Sequence, residues 1–168
     1  MATDYTDNYG SLSYSSTFKD HLSNPRNAGE LPDANAIADE KNPVCGDRIR
    51  LSLIIADDRI QKAGYLAYGC PPTLVCGSML TEMIVGKTIS EAQQLTRADL
   101  LNAIGGLPSR KHHAAALAIE TLNSALQDYR MKQDLHVNRE NPVILCNRSP
   151  VRQDCKICRI DRMARALR

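Results

Sequence analysis

Tryptophan is absent from this chain of 168 residues, phenylalanine occurs once, and six tyrosines complete the aromatics. A core must therefore rest on Leu, Ile, Val, Ala and Met, and the 43% hydrophobic content is enough to build one. Long apolar runs are missing too. None approaches the roughly 20 residues that cross a bilayer, so no membrane span is expected. The polar start MATDYTDNYGSLSYSSTF lacks the apolar centre of a secretory signal, and a cytoplasmic protein is expected. Charge of one sign is also lacking: the net charge of +2 selects no class of partner. The length fits one domain of ordinary size, with room for a tail.

Cysteine, by contrast, occurs six times. In a reducing compartment, thiols in this number point to metal ligands or reactive groups rather than disulfides.

Residues 1–17 are rich in Ser, Thr, Tyr, Asp and Asn and are expected to form a flexible N-terminal segment. A short helix is expected at 17–23, stopped by Asn24-Pro25. In residues 48–55, Ile49, Leu51, Leu53 and Ile55 alternate with Arg48, Arg50 and Ser52, which is strand periodicity. Asp57-Asp58 marks a turn and Arg59–Tyr68 reads as the returning strand of a hairpin, with a third strand around 35–42. From Pro71 the apolar spacing becomes helical through Leu74, Val75, Met79, Met83 and Ile84, closed by Gly86. Ser90 is read as the cap of a short helix running to Leu101, and Gly105-Gly106 breaks the chain. Residues 109–131 are Ala-rich without Gly or Pro. Leu117, Ala118, Leu122, Ala125, Leu126 and Tyr129 form an apolar stripe there, the clearest helix of the chain. The fold class is α+β: a small three-stranded antiparallel sheet followed by helices on one face. The domain spans 18–135, and 136–168 form a Cys-containing basic extension.

The chemistry concentrates at Asn42-Pro43-Val44-Cys45-Gly46-Asp47, where Pro and Gly force a tight loop carrying a thiol and a carboxylate two residues apart. The returning strand ends at Tyr68-Gly69-Cys70, and a hairpin brings that end back beside the start of its first strand. Cys45 and Cys70 are thus expected as neighbours. Cys70 also precedes a helix, where the dipole and free N–H groups favour the thiolate. His112 and His113 begin the long helix, and a neutral imidazole ligates Zn or Fe. Singly, each of these has a plain reading as core filler, turn residue or solvated histidine.

Taken together, the run from about Phe18 to Tyr129 resembles the IscU/SufU family, the same module as the NifU N-terminal domain. The resemblance rests on His21, Asn24-Pro25-Arg26-Asn27 and Gly29, then on Asn42-Pro43-Val44-Cys45-Gly46-Asp47 and Tyr68-Gly69-Cys70. It continues through Ser78-Met79-Leu80-Thr81-Glu82-Met83, Gly86-Lys87-Thr88, Leu107-Pro108 and Lys111. It implies a scaffold or carrier that binds an iron–sulfur cluster, 2Fe–2S or 4Fe–4S, or alternatively Zn. It implies Cys45, Asp47 and Cys70 as site residues, with His113 aligned to the family histidine. The partners implied are a cysteine desulfurase and apo iron–sulfur client proteins, with a homo-oligomer left open. The alternative is a zinc-dependent sulfurtransferase of the SufU type, accepting and donating persulfide.

The chain departs from the family in two places. The alignment puts Ala114 where the family carries a third cysteine after its histidine. The family's Leu-Pro-Pro-Val-Lys segment is here Leu107-Pro108-Ser109-Arg110-Lys111. Cys76 lies six residues beyond Cys70, about 9 Å along a helix axis, and is read as a buried helix residue. The tail brings Cys146, Cys155 and Cys158, the last two as C-x-x-C, a spacing at which two thiolates share one metal or cluster. These three either complete the main site or hold a separate metal, with His136 as a candidate fourth ligand. From Asn147 to Arg168, seven basic residues face Asp154 and Asp161, for a net of +5. Without interleaved aromatics, this is a weak signal for nucleic acid.

Overall fold

A computed structural model describes residues 14–140, with side-chain surroundings through Asp134. The chain divides into two compact units, Met1–Tyr129 and Arg130–Arg168. In the second, the described stretch is the helical end of α5, and everything below concerns the first. Among the described residues no helix is long and apolar enough to cross a membrane.

The elements run α1 (Ser16–Ser23), β1 (Ala36–Lys41), β2 (Arg48–Ala56), β3 (Arg59–Tyr68), α2 (Pro71–Ile84), α3 (Ile89–Gln93), α4 (Arg97–Ile104) and α5 (His112–Glu140). The strands form an antiparallel meander in the order β1-β2-β3, so the α+β expectation holds. The β2–β3 turn places Asp57 and Asp58 at φ +51° and +60°, the left-handed pair a two-residue hairpin requires. Ile49, Leu51, Leu53 and Ile55 are buried as the alternation predicts, in one cluster with Val75, Leu80 and Ile84 of α2 and Leu122 and Leu126 of α5. Helix α5 also meets the free edge of β1: Asp128 accepts the Ile37 N–H at 3.0 Å and Ser124 donates to Glu40 at 2.7 Å.

Helix α2 ends at Ile84 with Val85 as its cap, and Gly86 closes it at a left-handed φ of +83°, as expected. Three boundaries and one burial differ from the sequence reading. The cap of the next helix is Thr88, not Ser90. Its hydroxyl and the Glu91 carboxylate cap each other's backbone N–H groups. The stretch to Leu101 is two helices, because Thr96 and Asp99 form a second capping box and restart the chain. The long helix begins at His112 after one 3-10 turn, Ser109–Lys111, and continues past residue 131 to Glu140. Ser52, expected on the outer face with Arg48 and Arg50, is buried. The segment after α1 covers it, and its hydroxyl accepts the Leu31 N–H at 3.1 Å and donates to the Gly64 carbonyl.

Candidate metal centre

Pairing of Lys41 with Arg48 and of Arg48 with Tyr68 sets the β1–β2 loop beside the β3–α2 junction at one end of the sheet. The loop is held by its own backbone. Asn42 exchanges hydrogen bonds with Asp47 and Gly46, and its side-chain oxygen accepts the N–H groups of Val44 at 2.9 Å and Cys45 at 3.4 Å. Gly46 takes the left-handed φ of +76° that this turn needs. The result presents Val44 (94% exposed) and the exposed Cys45 outward, while Asp47 turns in and is 6% exposed. Gly69 allows that approach: a Cβ there would lie 2.5 Å from Asp47 Oδ1.

Asp47 is the hub. The Thr73 hydroxyl donates to Asp47 Oδ2 at 2.6 Å, and the Cys70 thiol donates to the same oxygen at 3.4 Å. Burial pushes the Asp47 carboxyl up. Hydrogen bonds from Thr73, Cys70 and Cys45 outweigh it, so the net pKa lies below the ordinary carboxylate value and the group is an anion. Cys70 is the N-cap of α2, as the sequence suggests. The free N–H groups expected there are not: Pro71 and Pro72 have none, and the N–H groups of Thr73 and Leu74 donate to the Cys70 carbonyl. The partner of the thiol is instead the Asp47 carboxylate, with the Thr73 hydroxyl 3.5 Å away.

Of the two histidines, His113 faces the site. Its Nδ1 lies 3.0 Å from the Arg110 carbonyl, which can only accept, so Nδ1 carries a proton, and in the neutral ring Nε2 keeps its lone pair. That Nε2 is 3.7 Å from Asp47 Oδ2. A lone pair and a carboxylate at this distance call for a proton or a cation between them. His112 turns away, with Nε2 on the Leu107 carbonyl at 2.9 Å. Donor atoms of Cys45, Asp47 and His113 all lie within 4.8 Å of one another. With Cys70 hydrogen-bonded to the same carboxylate, two thiols, one carboxylate and one imidazole converge. This donor set fits a tetrahedral Zn or an iron of a cluster. A backbone carbonyl on the second ring nitrogen is the usual way a ligating histidine is oriented.

Ala114 is fully buried beside His113 and offers no donor. Cys76 is 0% exposed inside the core. Burial, with Cys70 nearby, pushes its thiol up to about 12, so it is core, as its helical position suggests. Cys146, Cys155 and Cys158, and the His136 side chain, lie outside the described residues. The sequence reading missed Thr73, whose signal was its place in the first turn after Cys70, and the Asn42 side chain, foreshadowed by the Asn-Pro pair.

The chain matches the NifU-like N terminal domain over residues 13–136. It is 41% identical over 119 residues to "Iron-sulfur cluster assembly scaffold protein IscU 1" of Archaeoglobus fulgidus, covering 71% of this chain and 78% of that one. It is 41% identical over 125 residues to "Iron-sulfur cluster assembly scaffold protein IscU" of Aquifex aeolicus, covering 73% and 80%. The crystal structure of a nitrogen-fixing NifU-like protein (N-terminal) from Brucella abortus superposes with a TM-score of 0.59 at 14% identity, over 70% of this chain and 94% of that one. That likeness speaks to the fold alone.

Proposed function

The chain belongs to the family of the NifU-like N-terminal domain, and from that premise we propose that it is an iron–sulfur cluster scaffold that hands its cargo to apoproteins and catalyses no reaction of its own. Its cysteine-desulfurase partner supplies the sulfur. The observation that carries this reading is the convergence of Cys45, Asp47 and His113 donor atoms around the carboxylate that Cys70 also touches. Cys45 stands exposed at the loop rim, where incoming sulfur and iron meet it first. Cys70 and Asp47 hold the inner side, and His113 supplies the donor that Ala114 cannot. A site of two thiols, one carboxylate and one imidazole grips a cluster less firmly than four thiolates, which suits a protein that must release it.

The relatives' names as cluster-assembly scaffolds support this over the sulfurtransferase reading. In the tail, the C-x-x-C of Cys155 and Cys158 together with Cys146 has the spacing to complete the main site or to hold a separate metal or cluster.

Anaerobic reconstitution with ferrous iron and sulfide tests both. The expected product has visible charge-transfer absorbance and acid-labile sulfide, and Cys45→Ser and Cys70→Ser each remove the share of both that the main site holds. A colourless protein holding stoichiometric zinc, with persulfide on a cysteine, supports sulfur transfer and overturns the scaffold. Unchanged metal content in Cys155→Ser/Cys158→Ser removes the tail from the ligand set.

A further inference from the structure

Among the described residues, Thr73 is the one fully buried polar side chain that joins two of the site's donors, and nothing in the chemistry above requires it to ligate. Its hydroxyl has one proton, and the short 2.6 Å contact commits that proton to Asp47 Oδ2. Its oxygen faces Cys70 Sγ at 3.5 Å. It sits at the third position of α2, where the helix is packed into the core and the hydroxyl cannot swing away to water. On the other side, Gly69 has no side chain and so leaves Asp47 Oδ1 the space that a Cβ would fill. The carboxylate is held at Oδ2, which is turned toward Cys70 and His113.

We propose that Thr73 is a positioning residue for the metal centre: its hydroxyl fixes the rotamer of Asp47, so that the carboxylate meets an incoming metal beside Cys45 and His113. The proposal rests on the reading of these residues as a metal site. A residue that orients a ligand in this way typically carries a 10–100-fold effect on metal affinity.

Three variants test it in the full chain: Thr73→Val, which keeps the shape and removes the hydroxyl, Thr73→Ser, which keeps the hydroxyl, and Asp47→Ala. Zn(II) affinity is measured by competition with a chromophoric chelator. Thr73→Val is expected to lose about tenfold or more, and Thr73→Ser to stay within about twofold of the parent. In the Asp47→Ala background, Thr73→Val should cost nothing further, because the hydroxyl acts through Asp47. Co(II)-loaded Thr73→Val should keep its thiolate charge-transfer band and change its d–d bands. In metal-free protein, the 13Cγ resonance of Asp47 should shift in Thr73→Val and return in Thr73→Ser.

Unchanged affinity in Thr73→Val overturns the proposal, as does an equal loss in the Asp47→Ala background, which would mark a packing effect. A parent protein that binds neither Zn(II) nor Co(II) overturns the site itself. The 13Cγ arm still decides the positioning in that case: an unmoved resonance refutes it without any metal present.

Discussion

Two cysteines six residues apart on the same stretch of chain have opposite fates. Cys70 lies at the helix start against Asp47, and Cys76 lies inside the core. Burial is what separates them, and it can be read in solution. Iodoacetamide followed by peptide mapping should modify Cys45 in the native protein and Cys76 only after unfolding, since the thiolate is the nucleophile. The Cys76 thiol is raised from 9.0 to about 12 in the fold. A raised pKa gives stability that is whole below the unfolded value and fades as pH climbs through the folded one. Between pH 9 and about 12, the thermal midpoint of the parent should fall more steeply than that of Cys76→Ala. Equal slopes would show that the thiol ionises freely in the fold. At this scale Cys45, Asp47 and Cys70 were legible, because the Cys-Gly-Asp and Tyr-Gly-Cys elements are themselves local. Thr73 was not, because its meaning lies in a contact with a residue 26 positions away.

At the scale of elements, α1 and the segment after it are fastened to α2 around the Ser78 hydroxyl, with Thr81 and Glu82 beside it. Ser78 Oγ accepts the Arg26 N–H at 2.8 Å, bonds the Tyr65 hydroxyl and lies 2.8 Å from His21 Nδ1. The other nitrogen of His21, Nε2, faces Glu82 at 3.4 Å. With its proton on Nε2 toward that carboxylate, a neutral ring accepts the Ser78 proton at Nδ1. Burial lowers the His21 pKa, with Arg26 adding to it against Glu82 and Asp20, in agreement with a neutral ring. Ser78→Ala strands these groups and should cost about 1–3 kcal/mol. Hydrogen exchange should quicken at Arg26 and through α1 while β2 stays protected; uniform loss of protection would deny the fastening. The caps were the weak point of sequence reading here. Thr88 and Ser90 are both good N-cap residues, and only the Glu91 carboxylate, three residues past Thr88, decides between them.

In the molecule as a whole, the proposed metal centre lies at the rim of a core that closes without it. Val75, Leu80, Ile84, Leu122 and Leu126 bury themselves against the sheet, and none of Cys45, Asp47 or His113 belongs to that cluster. The fold should therefore not depend on metal, unlike small zinc domains that unfold without it. Cys45→Ser/Cys70→Ser should melt within a few degrees of the metal-free parent. Zn(II) at 100 times its Kd should raise the parent's stability by about 2.7 kcal/mol and leave the double variant unmoved. Calorimetry checks both, and a metal-free parent that is already unfolded would refute the claim.

By itself, the sequence determined the meander, its inward face and the thiol–carboxylate loop. These follow from period-two alternation, turn residues and short-range constraints that act within a few positions. The choice of His113 over His112, the hold of Thr73 on Asp47 and the burial of Ser52 were decided only by tertiary structure. Each depends on where a residue far along the chain comes to rest, and no local periodicity carries that distance. The closing of the site by an imidazole beside Ala114 belongs to both: the missing thiol is written in the chain, and the nitrogen that stands near its place is positioned by the Arg110 carbonyl.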